Sequence, residues 1–106
     1  MTIKEKILST FKGKEGRTFK PHEIIDLIKQ KYPDTNPSSI IPADRCYNKI
    51  NIGIEKYFDF HVFEALDDGS YKFLGEGYPF SGPVFWNGKV VGEWLDGRKI
   101  ILQELK

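Results

Sequence analysis

The stretch NPSSIIPADRCYNKINIG, residues 36–53, decides between the possible folds of this chain. Asn36 is a favourable helix N-cap, and Pro37 suits the first helical position, where a missing N–H costs nothing. At about 100° per residue, the apolar side chains that follow fall on one stripe. The pattern predicts a third helix whose buried side comprises Ile40, Ala43, Tyr47, Ile50 and Ile54.

The opposite side of this predicted helix carries Ser38, Arg45 and Lys49, with Asn48 on its flank. Pro42 falls on the outward side as well. Because proline removes a backbone hydrogen bond, we expect a kink there, or a short turn followed by a separate helix. Two further residues complete the prediction: Cys46 as a small, semi-buried side chain and Gly53 as a C-cap.

Composition predicts one soluble globular domain. The chain has 106 residues, of which 40% are hydrophobic and 29% charged, enough for a single modest core. No apolar run approaches the roughly 20 residues that a membrane helix needs, and the N-terminus does not read as a signal peptide. A lone cysteine cannot form an internal disulfide, which agrees with a reducing compartment. We therefore expect a cytoplasmic protein with no membrane association.

The net charge of +1 hides an asymmetry along the chain. Residues 1–56 contain eleven Lys or Arg against seven Asp or Glu, whereas residues 57–106 contain five against eight. A basic half of this kind permits binding to a polyanion without requiring it.

Apolar residues at helical spacing precede residues 36–53, and strand patterns follow them. Residues 2–11 and 21–32 each carry an apolar face and are predicted helices. Asp68-Gly69 predicts a hairpin between HVFEAL and SYKFLG, and Asn87-Gly88 and Asp96-Gly97 predict two more turns, within a three-strand meander.

The fold class predicted is α+β: a three-helix winged helix-turn-helix with a β-hairpin wing, extended by a C-terminal three-strand antiparallel meander. The domain boundaries are one winged-helix domain over 1–106, with a helical part at 1–54, the wing hairpin at 55–76 and the meander at 83–106.

The run HEIIDLIKQKYPDTNPSSIIPADRCYNKINIGI, followed by DGSYKFLG, resembles a family of small bacterial and phage winged-helix domains. Members are often fused to the N-terminus of HNH-type restriction endonucleases, and the similarity covers about residues 19–78. The resemblance implies a DNA-reading module connected with restriction-modification and phage defence. It implies no nuclease, because the chain has no HNH motif.

On a recognition helix, Arg45 could pair with guanine and Asn48 with adenine, while Lys49 suits phosphate oxygens. The hydroxyls of Ser38 and Ser39 would add phosphate contacts at the helix start. The basic loop KGKEGRTFK could supply further backbone contacts, through Lys12, Lys14, Arg17 and Lys20. The alternative interpretation of all these residues is an ordinary solvated surface.

The acidic wing tip at Asp67 and Asp68 argues against contact between the wing and a phosphate backbone. A second function therefore stays open: a protein-binding module, such as a phage-encoded inhibitor of a host defence enzyme. It would dock a protein partner, or a second copy of the chain, through the last strand and an aromatic loop. The candidate interface residues of that loop are Tyr78, Phe80, Phe85 and Trp86, for which core packing is the commoner role.

No spacing in the chain resembles a metal site or a nucleophile with its base. We therefore predict a protein that is not an enzyme and has no cofactor or metal. The leading functional prediction is recognition of double-stranded DNA, by sequence or by a modified base.

Overall fold

The computed structural model describes residues 1–52 and 60–101, and side chains of the last strand only at residue 98. Within these residues the chain forms two α-helices, two single 3₁₀ turns and six short strands in two antiparallel sheets. The elements in chain order are α1 (Ile3–Phe11), β1 (Thr18–Phe19), α2 (Pro21–Lys31), 3₁₀ turns at Pro37–Ser39 and Pro42–Arg45, β2 (Phe63–Ala65), β3 (Tyr71–Phe73), β4 (Gly82–Trp86), β5 (Lys89–Leu95) and β6 (Arg98–Ile101).

Both predicted helices are confirmed. At the start of each helix, a glutamate of the first turn accepts a hydrogen bond from the backbone N–H of the N-cap residue. At the start of α1 the Thr2 hydroxyl accepts from the Glu5 N–H at 3.1 Å, and the Thr2 N–H donates to the Glu5 carboxylate at 2.8 Å. This capping box satisfies two N–H groups that the helix leaves unpaired. The second helix starts at Pro21, and the Lys20 N–H donates to the Glu23 carboxylate at 2.7 Å.

The first sheet has the order β1-β3-β2, with the predicted hairpin of β2 and β3 paired through Phe63 and Phe73. The two-residue strand β1, which the sequence analysis missed, pairs with the outer side of β3. Phe11 of α1 is fully buried against this sheet, with its ring centroid 5.1–5.7 Å from those of Phe19, Phe63 and Phe73. These rings and the buried isoleucines of the helices form the first core.

The second sheet is the predicted meander, β4-β5-β6. Both of its predicted turns are confirmed: Asn87 (φ 52°) and Asp96 (φ 49°) have positive φ, as do the glycines that follow them. Such turns match the twist of the strands that they join. The inner face of this sheet contributes Val84, Val91 and Trp94 to a second core.

The predicted third helix is absent, so the winged helix-turn-helix is wrong. Residues 36–52 contain only the two 3₁₀ turns, followed by isolated bridges at Cys46 and Lys49 with bends between and after them. Asn36 caps as expected, since its side chain accepts from the Ser38 N–H, but it caps a single turn. Pro42 is buried instead of pointing outward, and Cys46 is fully buried instead of half-buried.

The backbone of this segment pairs with strands instead of with itself. The Tyr47 N–H donates to the Phe63 carbonyl at 2.8 Å and the Ile50 N–H donates to the Phe85 carbonyl at 2.8 Å. The Phe85 N–H donates in return to the Asn48 carbonyl at 2.9 Å. Residues 45–50 therefore lie along the edge of β2 first and the edge of β4 next, and they link the two sheets.

Three of the five positions predicted for the buried stripe are buried, although the predicted helix is absent, and a fourth, Ala43, is half-buried. Ile40, Tyr47 and Ile50 are all at most 4% exposed, although they lie on no common helix. Ile40 belongs to the first core, and Tyr47 and Ile50 belong to the second. The predicted C-cap at Gly53, the core position Ile54 and the end of the last strand beyond Ile101 lie outside the described residues.

No helix in the described ranges is long and apolar enough to cross a membrane.

Candidate nucleic-acid interface

Two tight turns shape the basic loop between α1 and β1. The Lys14 N–H donates to the Phe11 carbonyl at 2.9 Å, and the Arg17 N–H donates to the Lys14 carbonyl at 3.2 Å. Gly13 (φ 83°) and Gly16 (φ 85°) occupy the left-handed positions of these turns, which residues with a Cβ rarely adopt. The loop thereby folds back towards the helices and is held to β3 by the Gly16 N–H and the Phe73 carbonyl.

An open cleft of about 550 Å³ lies between this loop and the C-terminal ends of both helices. It is called the lysine cleft below. Three of the residues that line it are lysines, two carry hydroxyls and none carries a carboxylate. The lining residues are Ser9, Thr10, Lys12, Lys14, Leu27, Gln30 and Lys31. Three lysines that line one cleft with no carboxylate among its lining residues create a local positive potential that attracts anions.

The wall of the cleft is fixed by hydrogen bonds that meet at Ser9. The Lys31 ammonium donates to the Ser9 carbonyl at 3.2 Å, and the Tyr32 hydroxyl donates to the Ser9 hydroxyl at 2.9 Å. Lysines near the last turn of a helix also interact favourably with the helix dipole. These two hydrogen bonds hold the helix ends together, and the Lys31 ammonium lies at the cleft.

Thr10 lies in the cleft wall with an unusual environment. The residue is 8% exposed, and its hydroxyl oxygen has no hydrogen-bond partner among the described residues. A buried hydroxyl without a partner costs roughly 1–3 kcal/mol. The structure therefore tolerates an unsatisfied donor beside three lysines.

A second hollow, of about 300 Å³, continues the basic surface and shares Lys31 with the cleft. Here the Lys6 ammonium donates to the Thr35 hydroxyl at 3.0 Å. Both Lys6 and Lys31 lie 6.0 Å from the centroid of the Tyr32 ring, a distance at which a cation is attracted to an aromatic face. Asp34 also lines this hollow, so its positive potential is weaker than that of the lysine cleft.

The structure separates the four predicted basic residues of the loop. Lys12 and Lys14 line the lysine cleft, whereas Arg17 and Lys20 are exposed outside it. Hydrogen bonds from the hydroxyl and N–H of Ser70 lower the pKa of Asp68, and the charge of Lys20 lowers it further. The positive charge of Lys20 is therefore partly balanced by Asp68 at the tip of the β2–β3 hairpin.

The predicted base-reading residues do not share an outward face. Both ends of the Asn48 amide are occupied, because it donates to the Ala65 carbonyl and accepts from the Ala65 N–H, each at 2.9 Å. The Arg45 guanidinium lies 5.1 Å from the centroid of the Phe60 ring, and partial burial lowers its pKa. Lys49 is exposed, but its backbone bridges to Phe85. The third helix that was to present Arg45 and Asn48 to bases is absent, and contact of these residues with DNA stays a prediction.

Ser38 and Ser39 remain exposed, yet their hydroxyls bond locally. The Ser38 hydroxyl donates to the Asn36 side-chain oxygen at 2.9 Å, and the Ser39 hydroxyl donates to the Asn36 carbonyl at 2.7 Å. They stabilise a three-residue turn, which lacks the aligned N–H groups of a longer helix start.

The aromatic loop is divided between core and surface. Phe80 is buried, and its ring is stacked on the Tyr47 ring with the two centroids 5.3 Å apart. Trp86 is partly buried against the second core. Tyr78 and Phe85 are 42% and 41% exposed. Only these two of the four predicted interface residues keep a large accessible ring.

Tyr47 organises the second core, a role that the sequence did not indicate beyond burial. Its hydroxyl donates to the Gly75 carbonyl at 2.6 Å and accepts from the Tyr78 N–H at 3.2 Å. Its carbonyl accepts from the Trp94 indole at 2.7 Å. Burial raises the pKa of the Tyr47 hydroxyl, so the neutral form is favoured.

Burial raises the pKa of the Cys46 thiol to about 12, which keeps it protonated at neutral pH and a poor nucleophile. In the described ranges no three His, Cys, Asp or Glu side chains group as metal ligands would.

The comparisons place the chain in a family without a described activity. The profile of a family described as "Domain of unknown function (DUF7225)" matches residues 2–101. The chain belongs to this family. It is also 41% identical over 105 residues to the uncharacterized protein YnaC of Bacillus subtilis (strain 168), covering 93% of this chain. It spans 39% of the length of that relative. No solved structure matches the chain.

Sequence reasoning found part of the lysine cleft and missed the rest. Lys12 and Lys14 stood out as a basic loop, but Ser9, Gln30 and Lys31 had no local signal. Lys31 is 22 residues from Ser9 in the chain, and only the packing of the two helices brings them together.

Proposed function

We propose that this domain is a non-catalytic module that binds the phosphate backbone of double-stranded DNA through the basic surface of its helical half. The observation that carries the proposal is the lysine cleft, which is lined by Lys12, Lys14 and Lys31 and by no carboxylate. Lysines that neutralise phosphates release condensed counterions, which supplies most of non-specific affinity.

Charge on the remaining described surface supports this orientation. A groove of about 330 Å³ between β2 and β4 is lined by Glu64 and Asp67 along with apolar residues. Two carboxylates there repel phosphate, so a polyanion would approach the helical side. Backbone contacts without base contacts position a protein on DNA but carry no direct sequence information. Sequence preference, if present, is expected to be small.

The proposal is tested by titrating a fluorescent random-sequence duplex at several salt concentrations. The logarithm of the affinity falls linearly with the logarithm of the salt concentration. Each phosphate contact contributes about 0.9 to the steepness of that fall. The variant Lys12→Gln/Lys14→Gln/Lys31→Gln should therefore lose roughly 2–3 units of slope and bind weakly at low salt.

The control is Lys89→Gln, which removes one charge at the β4–β5 turn of the other sheet and should leave the slope unchanged. No binding by the wild-type domain at low salt would overturn the proposal, as would an unchanged slope in the triple variant.

A protein partner is the second candidate, favoured by one specific surface. Phe85 and Val90 lie directly opposite each other on neighbouring strands, and they are 41% and 49% exposed. A cross-strand apolar pair on an outer sheet face is a common anchor for a partner. An inhibitor of a host defence enzyme, or a second copy of this chain, could use it. Phe85→Ser should then weaken partner binding or self-association while leaving duplex binding intact.

A further inference from the structure

We infer that the lysine cleft is a seat for the terminal phosphate monoester of a nucleic-acid strand. This inference rests on the proposed function and names the group that the cleft would select. Three observations on the cleft support it: its charge, the residues that line it and the buried hydroxyl of Thr10.

The lysine cleft is an open depression of about 550 Å³ between two helix ends and a loop. A phosphate can reach its lysines from solvent, whether it lies inside a strand or at a strand end, so charge has to distinguish the two.

The charge of the cleft matches a monoester better than an internal phosphate. An internal phosphodiester carries one negative charge, whereas a terminal phosphate carries about −1.5 to −2 at pH 7 and three acceptor oxygens. Lys12 and Lys14 line the cleft from the loop, and Lys31 lines it from α2. Three ammonium groups and no carboxylate therefore favour the more highly charged group.

The other lining residues suit phosphate oxygens and not a base. None of the seven lining residues is aromatic, so the cleft has no ring on which a base could stack. Ser9, Thr10 and Gln30 add polar side chains, and Leu27 is the one aliphatic side chain among the seven.

The Thr10 hydroxyl supplies an independent sign of a missing acceptor. It is buried in the wall of the cleft and has no hydrogen-bond partner among the described residues. A phosphate oxygen bound in the cleft is a candidate acceptor for this hydroxyl. Binding would then satisfy a group that the protein alone leaves unsatisfied.

The experiment compares one blunt duplex in two forms, carrying either a 5′-phosphate or a 5′-hydroxyl and a fluorophore at the distant 3′ end. We expect the phosphorylated duplex to bind about tenfold more tightly at pH 7.5, which corresponds to about 1.4 kcal/mol. The ratio should fall towards one at pH 5, because the second proton of a monoester binds with a pKa near 6.

Variants identify the cleft as the source of the ratio. Lys12→Gln/Lys14→Gln should reduce the ratio to nearly one, and Thr10→Val should reduce it about twofold or more without loss of the fold. Lys89→Gln is the matched surface control and should keep the wild-type ratio. A ratio that persists in the cleft variants would overturn the assignment.

Failure of the inference is distinguishable from failure of the proposed function. Equal, salt-dependent binding of both duplex forms would refute the strand-end seat and leave backbone binding in place. Absence of binding to either form at low salt would overturn both. If inorganic phosphate alone binds as tightly as the phosphorylated duplex, the cleft takes free phosphate and the assignment to a strand end is wrong.

Discussion

Two segments of this chain begin alike and fold differently: α2 and residues 36–52. Each starts with a proline at its first helical position, and each carries apolar residues at helical spacing. The first becomes an eleven-residue helix. The second makes two single turns and then runs along two sheets.

The difference lies in where the backbone hydrogen bonds go. From Ile24 onward the N–H groups of α2 donate to carbonyls four residues earlier, and the apolar face of the helix packs on the first core. In the second segment Pro42 has no N–H, and the residue before it, Ile41, is disfavoured in helical conformation. Ile41 is extended, with φ −120° and ψ 91°.

What replaces the helix is a set of partners that are distant in the chain. Phe63 and Phe85 supply carbonyls to Tyr47 and Ile50, and the Asn48 amide completes the edge of β2 at Ala65. Apolar spacing therefore reports which residues are buried, but not which backbone pairs bury them. The comparison yields three predictions, ordered by the size of their expected effect.

A proline inside α2 should have the largest effect. Asp26 is an exposed interior position of this helix, so Asp26→Pro should cost about 3 kcal/mol or more of unfolding free energy. Urea unfolding measures the loss, and Asp26→Ala is the control with little change. A cost below about 1 kcal/mol would mean that α2 does not depend on its own hydrogen bonds.

Removing the Asn48 side chain should have the next largest effect. Asn48→Ala leaves the N–H and carbonyl of Ala65 without partners, which should cost roughly 2–3 kcal/mol of unfolding free energy. Asn51→Ala is the matched control, because its amide bonds to Asp44 at an exposed site. Equal losses for the two variants, measured by urea unfolding, would refute the role of Asn48 as a link between strands.

Replacing Pro42 should have the smallest effect and is the sharpest test of the comparison. Pro42→Ala removes the helix breaker, yet the partners in β2 and β4 remain. We expect a change within about 1 kcal/mol and no gain in the circular dichroism signal at 222 nm. A clear gain in helix signal would show that the proline alone prevents the third helix.

The same contrast explains how much the sequence could predict. Local signals sufficed for α1 and α2 and for the turns at Asn87-Gly88 and Asp96-Gly97, because caps and turn residues act within a few positions. The strand β1 was missed because two residues carry no pattern.

The candidate site was predictable in part for the same reason. Lys12 and Lys14 lie in one loop, and a cluster of basic residues is visible in the sequence. Lys31 joins them only through the packing of α2 on α1, where Tyr32 and Lys31 both bond to Ser9. Assigning bases to Arg45 and Asn48 depended on a helix that the segment does not form, so the observed fold gives that assignment no support.

The most direct test compares two double variants of equal charge loss in duplex binding. Lys12→Gln/Lys14→Gln removes two cleft lysines, and Arg45→Gln/Lys49→Gln removes the two cations of the former recognition segment. We predict that Lys12→Gln/Lys14→Gln reduces the steepness of log affinity against log salt by roughly 2. Arg45→Gln/Lys49→Gln should reduce it by less than half as much. A larger loss from Arg45→Gln/Lys49→Gln would contradict the account and return DNA contact to residues 36–52.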